Sequence, residues 1–111
     1  MTFLFLYRKS AVQSDQPSQA DVQAGYMRWK SWMAKYTAEI IEQPPARSGP
    51  KPGGATAVCR GDAVSDGQYS EGKEIVAGWS FIEAESLARA VEIAKEVPMF
   101  ASVEIIEIAT F

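Results

Sequence analysis

The stretch between Ser18 and Pro45 constrains this chain most. Val22, Tyr26, Trp29, Met33, Tyr36 and Ile40 recur at spacings of four and three, which places them on one face of an α-helix. Ser18 followed by Asp21 makes a capping arrangement, and Pro17 is harmless at the entrance. Lys30, Lys35 and Glu39 fall on other faces, while Trp32 lies off the main stripe and widens the apolar arc. Pro44-Pro45 stops the helix. A helix of this kind needs an apolar surface to lie on, so the flanking segments decide the architecture.

Those segments read mostly as strands. Thr2 to Tyr7 is aromatic and branched, a buried strand, and Arg8 to Gln16 is a polar loop. Pro44 to Gly54 carries four prolines and three glycines and reads as a connector without helix or strand, a solvated insertion or, as the alternative, a loop that covers part of the domain. Ala55 to Arg60 alternates as a strand, Gly61-Asp62 turns the chain, and Ala63 to Ser65 returns. Asp66-Gly67 is a second turn signal. Glu74 to Ile82 is a strand in which Gly78 marks a bulge or a close backbone approach. A second helix opens near Glu83 to Ser86, carries the stripe Leu87, Ala90, Val91, Ala94 and Val97, and ends at Pro98. Ala101 to Ala109 is the last strand, where adjacent Ile105 and Ile106 imply a bulge or burial on both faces.

The order is strand, helix, two strands (the first with an extra hairpin arm), helix, strand. This is an α+β, ferredoxin-like βαββαβ pattern in a single domain over residues 1–111, with Ala55 to Arg60 as its second strand. Both helices on one face leave the other face of the sheet bare. A second copy is the simplest cover, which predicts a homodimer.

Composition excludes several kinds of chemistry. Fourteen acids against 11 bases give a net charge of −3, and the bases are scattered, so no nucleic-acid partner is expected. Phe3 to Tyr7 is short and followed at once by Arg8-Lys9, which fits a first strand and not a membrane span or secretion signal. The single cysteine, Cys59, fits a reducing, cytoplasmic setting and reads as an inert small apolar residue. There is no histidine. Ser-His-Asp and Cys-His pairs are therefore excluded, and too few nitrogen and sulfur ligands exist for zinc. No cofactor or metal is expected. Any catalysis must use carboxylates, tyrosines, lysines, arginines or the thiol.

The run Asp66-Gly67-Gln68-Tyr69-Ser70-Glu71-Gly72-Lys73-Glu74-Ile75-Val76-Ala77-Gly78-Trp79 resembles the signature of the YCII-related, DGPF-domain family. Ala90 to Lys95 with Pro98, and Ser102 to Ile105, fit the same pattern. Three positions depart from it: Gln68 stands at the motif's proline, Ala77 at the first glycine of a pair, and the last strand lacks an arginine. The resemblance implies a dimeric α+β barrel with a cleft between sheet and helices. A related branch relies on a histidine–aspartate pair, which this chain cannot form.

Asp66, at a tight turn, is the candidate catalytic residue, as a general base or as an anchor for a ligand's amine or hydroxyl. Its alternative is to accept N–H groups of its own turn. Arg8, Tyr69, Glu71 and Lys73 are candidate ligand-binding residues. Arg8 ends the first strand, where it can pair with Asp66, hold an anion or face water. Glu71 and Lys73 equally suit a charged face that orders the loop. Tyr69, in the loop, is the foremost pocket candidate. Tyr7 and Tyr26 suit core or pocket, and Trp29 and Trp79 read as core. The expected function is small-molecule binding in a homodimer, with lyase-like or proton-transfer chemistry. The alternatives are a non-enzymatic ligand-sensing or partner-binding module and a purely structural accessory domain.

Overall fold

The computed structural model describes residues 1–10, 18–44, 46–66 and 74–110. It is an α+β fold with two helices and one seven-stranded sheet whose pairings are all antiparallel. In chain order the elements are β1 (Thr2–Ser10), α1 (Gln19–Lys35), β2 (Ile40–Ile41), β3 (Ser48–Pro50), β4 (Thr56–Arg60), β5 (Ala63–Asp66), β6 (Glu74–Glu83), α2 (Leu87–Lys95) and β7 (Ser102–Thr110). The strands lie in the order β2-β6-β1-β7-β4-β5, and β3 also pairs with β7.

β1 is the centre. Phe3, Phe5 and Tyr7 alternate onto one face and are fully buried there, with Ile82 of β6 and Val103 and Ile105 of β7. Both helices close that face: Trp32 and Tyr36 come from the α1 side, and Ala90, Ile93 and Ala94 from α2. The Trp32 indole N–H donates to the Ile93 carbonyl at 3.1 Å, tying the helices together. β1 runs three residues beyond the expected strand, because Arg8, Lys9 and Ser10 pair with Val76, Ile75 and Glu74. A bulge falls between Tyr7 and Arg8 on β1, and Ala77 of β6, beside Gly78, has no opposite number there.

Helix α1 differs from its sequence reading in length and in face. Ser18 caps it by accepting from the Asp21 N–H, as expected. It ends at Lys35, well before the prolines. The Thr37 hydroxyl bonds back to the Met33 and Ala34 carbonyls, and Ile40 and Ile41 leave to pair with Ile82 and Phe81. Periodicity alone had carried the helical stripe through Ile40. The inner line is Gly25, Trp32 and Tyr36, with Trp32 only 4% exposed. Val22 and Tyr26, expected to face inward, are 52% and 55% exposed. In α2, Ser86 is the N-cap, and Ile93 joins Ala90 and Ala94 as a buried residue that the predicted stripe omitted.

The second strand is also reassigned. In a ferredoxin-like sheet the expected second strand, Ala55 to Arg60, would lie beside the strand Glu74 to Ile82, but Thr56–Arg60 pairs with β7 on the other side of β1. The neighbour of β6 is the two-residue strand Ile40–Ile41. The connector likewise holds a strand, because Ser48–Pro50 continues the β4 edge of β7. Between the two pieces the chain loops out around Glu107. Lys51 N–H donates to the Glu107 carbonyl and Glu107 N–H to the Ala55 carbonyl, while the carboxylate accepts from the Ala55 N–H at 3.1 Å and from Lys51 Nζ at 3.3 Å. β7 stays in continuous register with β1, so no bulge underlies the Ile105–Ile106 adjacency: Ile105 is buried beneath the helices and Ile106 is half-buried on the opposite face.

On the far face lie Thr2, Leu4 and Leu6 of β1, with Phe81 opposite Leu4 and Trp79 opposite Leu6. Ile106 and Glu104 stand across from the same two leucines. Neither helix packs there. No helix is long and apolar enough to cross a membrane among the described residues.

Two measurements check this architecture. Trp32→Phe removes the bond to Ile93 and part of a buried ring, and is expected to cost about 2 kcal/mol in urea unfolding. The contacts of Glu107, led by the Ala55 N–H, hold its carboxyl below the ordinary glutamate value of 4.5. A depressed folded value stabilises above the unfolded value, and that stability is lost as pH falls through the folded one. The urea midpoint of Glu107→Gln should therefore fall less than that of the parent between pH 5 and about 3.

Candidate functional site

The expected constellation does not assemble around Asp66. Asp66 ends β5, exposed, opposite Ala57, and both β4 and β7 separate its strand from β1. At about 4.8 Å per strand, Asp66 stands roughly 14 Å across the sheet from the β1 line that carries Arg8. Arg8 is largely buried and pairs with Glu104 at 2.8 Å. Next to that pair, Ser102 Oγ donates to Glu74 at 2.7 Å and Arg60 approaches the same carboxylate oxygen at 3.5 Å. This polar strip crosses one end of the far face, where Ser102, Glu104 and the adjoining Val58 are buried although neither helix covers them. Tyr69, Glu71 and Lys73 lie outside the described residues, as does Gly67 with its turn.

The structure instead brings together the aromatic residues. Tyr7, at the end of the buried row of β1, stacks on Phe100 at 4.9 Å between ring centres and 16° between planes. Trp29 of α1 meets Tyr7 edge-on at 5.2 Å, meets Phe100 edge-on at 5.5 Å, and stacks on Trp32 at 5.2 Å. Offset-stacked and edge-on pairs are the arrangements that ring quadrupoles favour. The cluster has a sequence cause: α1 presents Trp29 and Trp32 on adjoining faces, and the turn after α2 returns Phe100 to β1.

A cleft of about 340 Å³ opens beside this cluster. Tyr7, Trp29 and Phe100 line it from the core side, and Tyr26 from the exposed half of α1. Ala77, Gly78 and Trp79 form the β6 wall, and Met99 completes it. Trp79, expected in the core, is 66% exposed. Trp29 is both cleft wall and a flank of the core. Sequence reasoning missed Met99 and Phe100, which follow Pro98 in a turn and belong to no periodic pattern. Met99 has φ of +77°, a left-handed conformation unusual for a side chain of this size. Its Cγ would lie 3.3 Å from a Cβ placed on Gly25, so that glycine lets it settle over α1.

The polar resources of the cleft are few. The Tyr7 hydroxyl is buried and has no hydrogen-bond partner among the described residues. Burial pushes its ionisation up to about 12, with the Ser80 hydroxyl as the smaller, opposing influence. Tyr7 therefore stays neutral at physiological pH. Cys59 is buried on β4 in the core cluster, and burial raises its thiol pKa with weak opposition from Lys95. Its burial and raised pKa suit the packing role expected of it. No group of three metal-ligating side chains occurs among the described residues. A scan against protein-family models matches no family, and searches of the curated proteins and of the solved structures return no match.

Tyr7→Phe deletes a buried hydroxyl without a hydrogen-bond partner among the described residues, so stability is expected to stay level or rise by up to about 1 kcal/mol in thermal or urea unfolding. Met99→Gly is expected to be more stable than Met99→Ala by about 1 kcal/mol, because both lose the same contacts and only glycine accepts the positive φ without strain.

Proposed function

We propose that this chain is a ligand-binding domain that works as a homodimer, with the aromatic cleft as its binding site. The carrying observation is the convergence of Tyr7, Tyr26, Trp29 and Phe100 from β1, α1 and the turn after α2 on one cavity that the Ala77 to Trp79 stretch of β6 walls. Its volume falls at the small end of the roughly 300–1,000 Å³ usual for ligand sites. Non-enzymatic binding fits better than lyase-like or proton-transfer chemistry. No carboxylate, lysine or arginine lines the cleft among the described residues, and Asp66 stands on a distant strand.

The dimer reading draws on the bare face, where Leu4, Leu6, Phe81 and Ile106 are half-buried with no helix over them and Trp79 is exposed beside them. A contiguous apolar face of this kind is the usual mark of an interface. The path β2-β6-β1-β7 supports the ferredoxin-like reading, with β2 as a rudimentary second strand and β3, β4 and β5 as an extension past β7. Membership of the YCII-related family, with its dimeric barrel, rests on the Asp66 to Trp79 signature and belongs to the same proposal.

Two experiments test it. Light scattering behind size exclusion is expected to give twice the 12.2 kDa chain mass, and Leu6→Glu is expected to give a monomer. A thermal-shift screen against metabolites should yield hits whose stabilisation disappears in Tyr26→Ala. That variant removes an exposed cleft ring at little cost to the core, and hits that survive it would place binding elsewhere.

A further inference from the structure

The cleft is apolar inside, but cations stand around it. Lys30 Nζ lies over the half-exposed Tyr26 ring, 5.4 Å from its centre. Lys9 follows Tyr7 by two residues on β1, so its side chain leaves the same face about 6.8 Å further along. Arg28 reaches Met99 from the other flank of α1: its Nη2 would lie 3.8 Å from a Cβ placed on Gly25, where the Met99 side chain settles. None of these three has an ion pair among the described residues, whereas Arg8, Lys35, Lys51, Arg60 and Arg89 all do. The acids nearby do not answer them. Asp21, the one acid of α1, is nine residues or about 13.5 Å of helix from Lys30. Glu74 of β6 is held by Ser102 and Arg60 on the far face. The described side chains around the cleft are thus mainly positive, in a chain whose net charge is −3.

The exposed part of the lining marks where an occupant's rings would lie. Trp79, Tyr26 and Met99 are 66%, 55% and 55% exposed, so a flat molecule laid against them gains apolar contact without parting any packed side chain. Aromatic faces favour the edge or the offset face of another ring, but their negative quadrupole repels an anion set over them. An acid group on such a molecule is therefore driven off the rings and towards the rim. Lys30 can meet it there, because its flexible four-carbon stem allows the ammonium to swing off the Tyr26 ring. A cationic group would instead face Lys9, Arg28 and Lys30, with only the modest attraction of exposed rings to offset them.

We propose that the cleft binds a planar aromatic molecule bearing an anionic side group, its rings against Trp79 and Tyr26 and its acid paired with Lys30 at the rim. This rests on the reading of the cleft as the binding site and names the class of its ligand.

The test keeps the ring constant and changes the charge. Indole-3-acetate, indole and tryptamine are titrated into the full chain at neutral pH, and binding is followed by saturation-transfer NMR. In low salt the acetate is expected to bind about fivefold more tightly than indole, and tryptamine more weakly than indole. Near 1 M salt, where the screening length is about 3 Å, the acetate should fall to the level of indole. Lys30→Gln removes the charge from an exposed position. It is expected to bring the acetate down to indole's affinity in low salt, while indole binding and the melting temperature stay nearly unchanged. Lys30→Arg should keep the preference. Equal binding of the acetate and indole in low salt, tighter binding of tryptamine, or a preference that survives Lys30→Gln overturns the proposal. Acetate binding that survives Tyr26→Ala overturns the cleft as its site. Binding by none of the three overturns the ligand class, and the reading of the cleft falls with it only if the metabolite screen also yields no hit that Tyr26→Ala abolishes.

Discussion

The fold depends on one row of side chains. Phe3, Phe5 and Tyr7 project from the central strand into the only face that both helices cover. β6 and β7 take their register from β1, and each adds to the same layer: Ile82 beside Phe3, Val103 beside Tyr7, Ile105 beside Phe5. The helices then meet over that row, fixed by the Trp32 bond to Ile93. A slip of β1 by one residue would turn Leu4 and Leu6 inward and expose all three aromatics. The cleft is the open end of this arrangement. Tyr7 is the last member of the row, and beyond it the layer passes from packed core to a surface of partly satisfied rings.

The periodic parts of this structure were legible in the sequence. The strands of β1, β4, β5, β6 and β7 appear with small shifts of boundary, as do the Ser18 cap, the start of the second helix and the turn at Gly61, whose φ is +60°. Tertiary choices were not legible. Ile40 fits a helical stripe by spacing, but the edge of β6 offers it a ladder, and Thr37 satisfies the carbonyls that the shortened helix leaves. Ser48–Pro50 looks like turn composition, yet it pairs because β7 is longer than β4 and has bonding groups to spare. These two short strands change the map of the sheet, because they decide which element lies next to β6.

The site was legible only in its components. Tyr7, Tyr26, Trp29 and Trp79 stood out as aromatics suited to core or pocket, and the structure gives several of them both roles. Met99 and Phe100 carry no periodic signal, because a turn after a helix places them. The charged candidates followed a different logic. Arg8 and Glu104 are far apart in sequence but one strand apart in the sheet, and cross-strand pairing took precedence over a partnership with Asp66.

The shortness of β2 has a consequence for selectivity. It covers β6 only at Phe81 and Ile82. The outer edge of β6 from there back towards Glu74 has no neighbouring strand among the described residues, and this is the edge that carries Gly78 and Trp79 along the cleft. A strand edge presents an outward N–H and C=O at every second residue, about 6.8 Å apart. A cleft whose side chains are nearly all apolar among the described residues is thus bordered by main-chain groups, with the bulge at Ala77 interrupting their spacing. Backbone positions cannot be altered by substitution as side chains can. Were the cleft a binding site as proposed, polar recognition within it would fall largely to these main-chain groups.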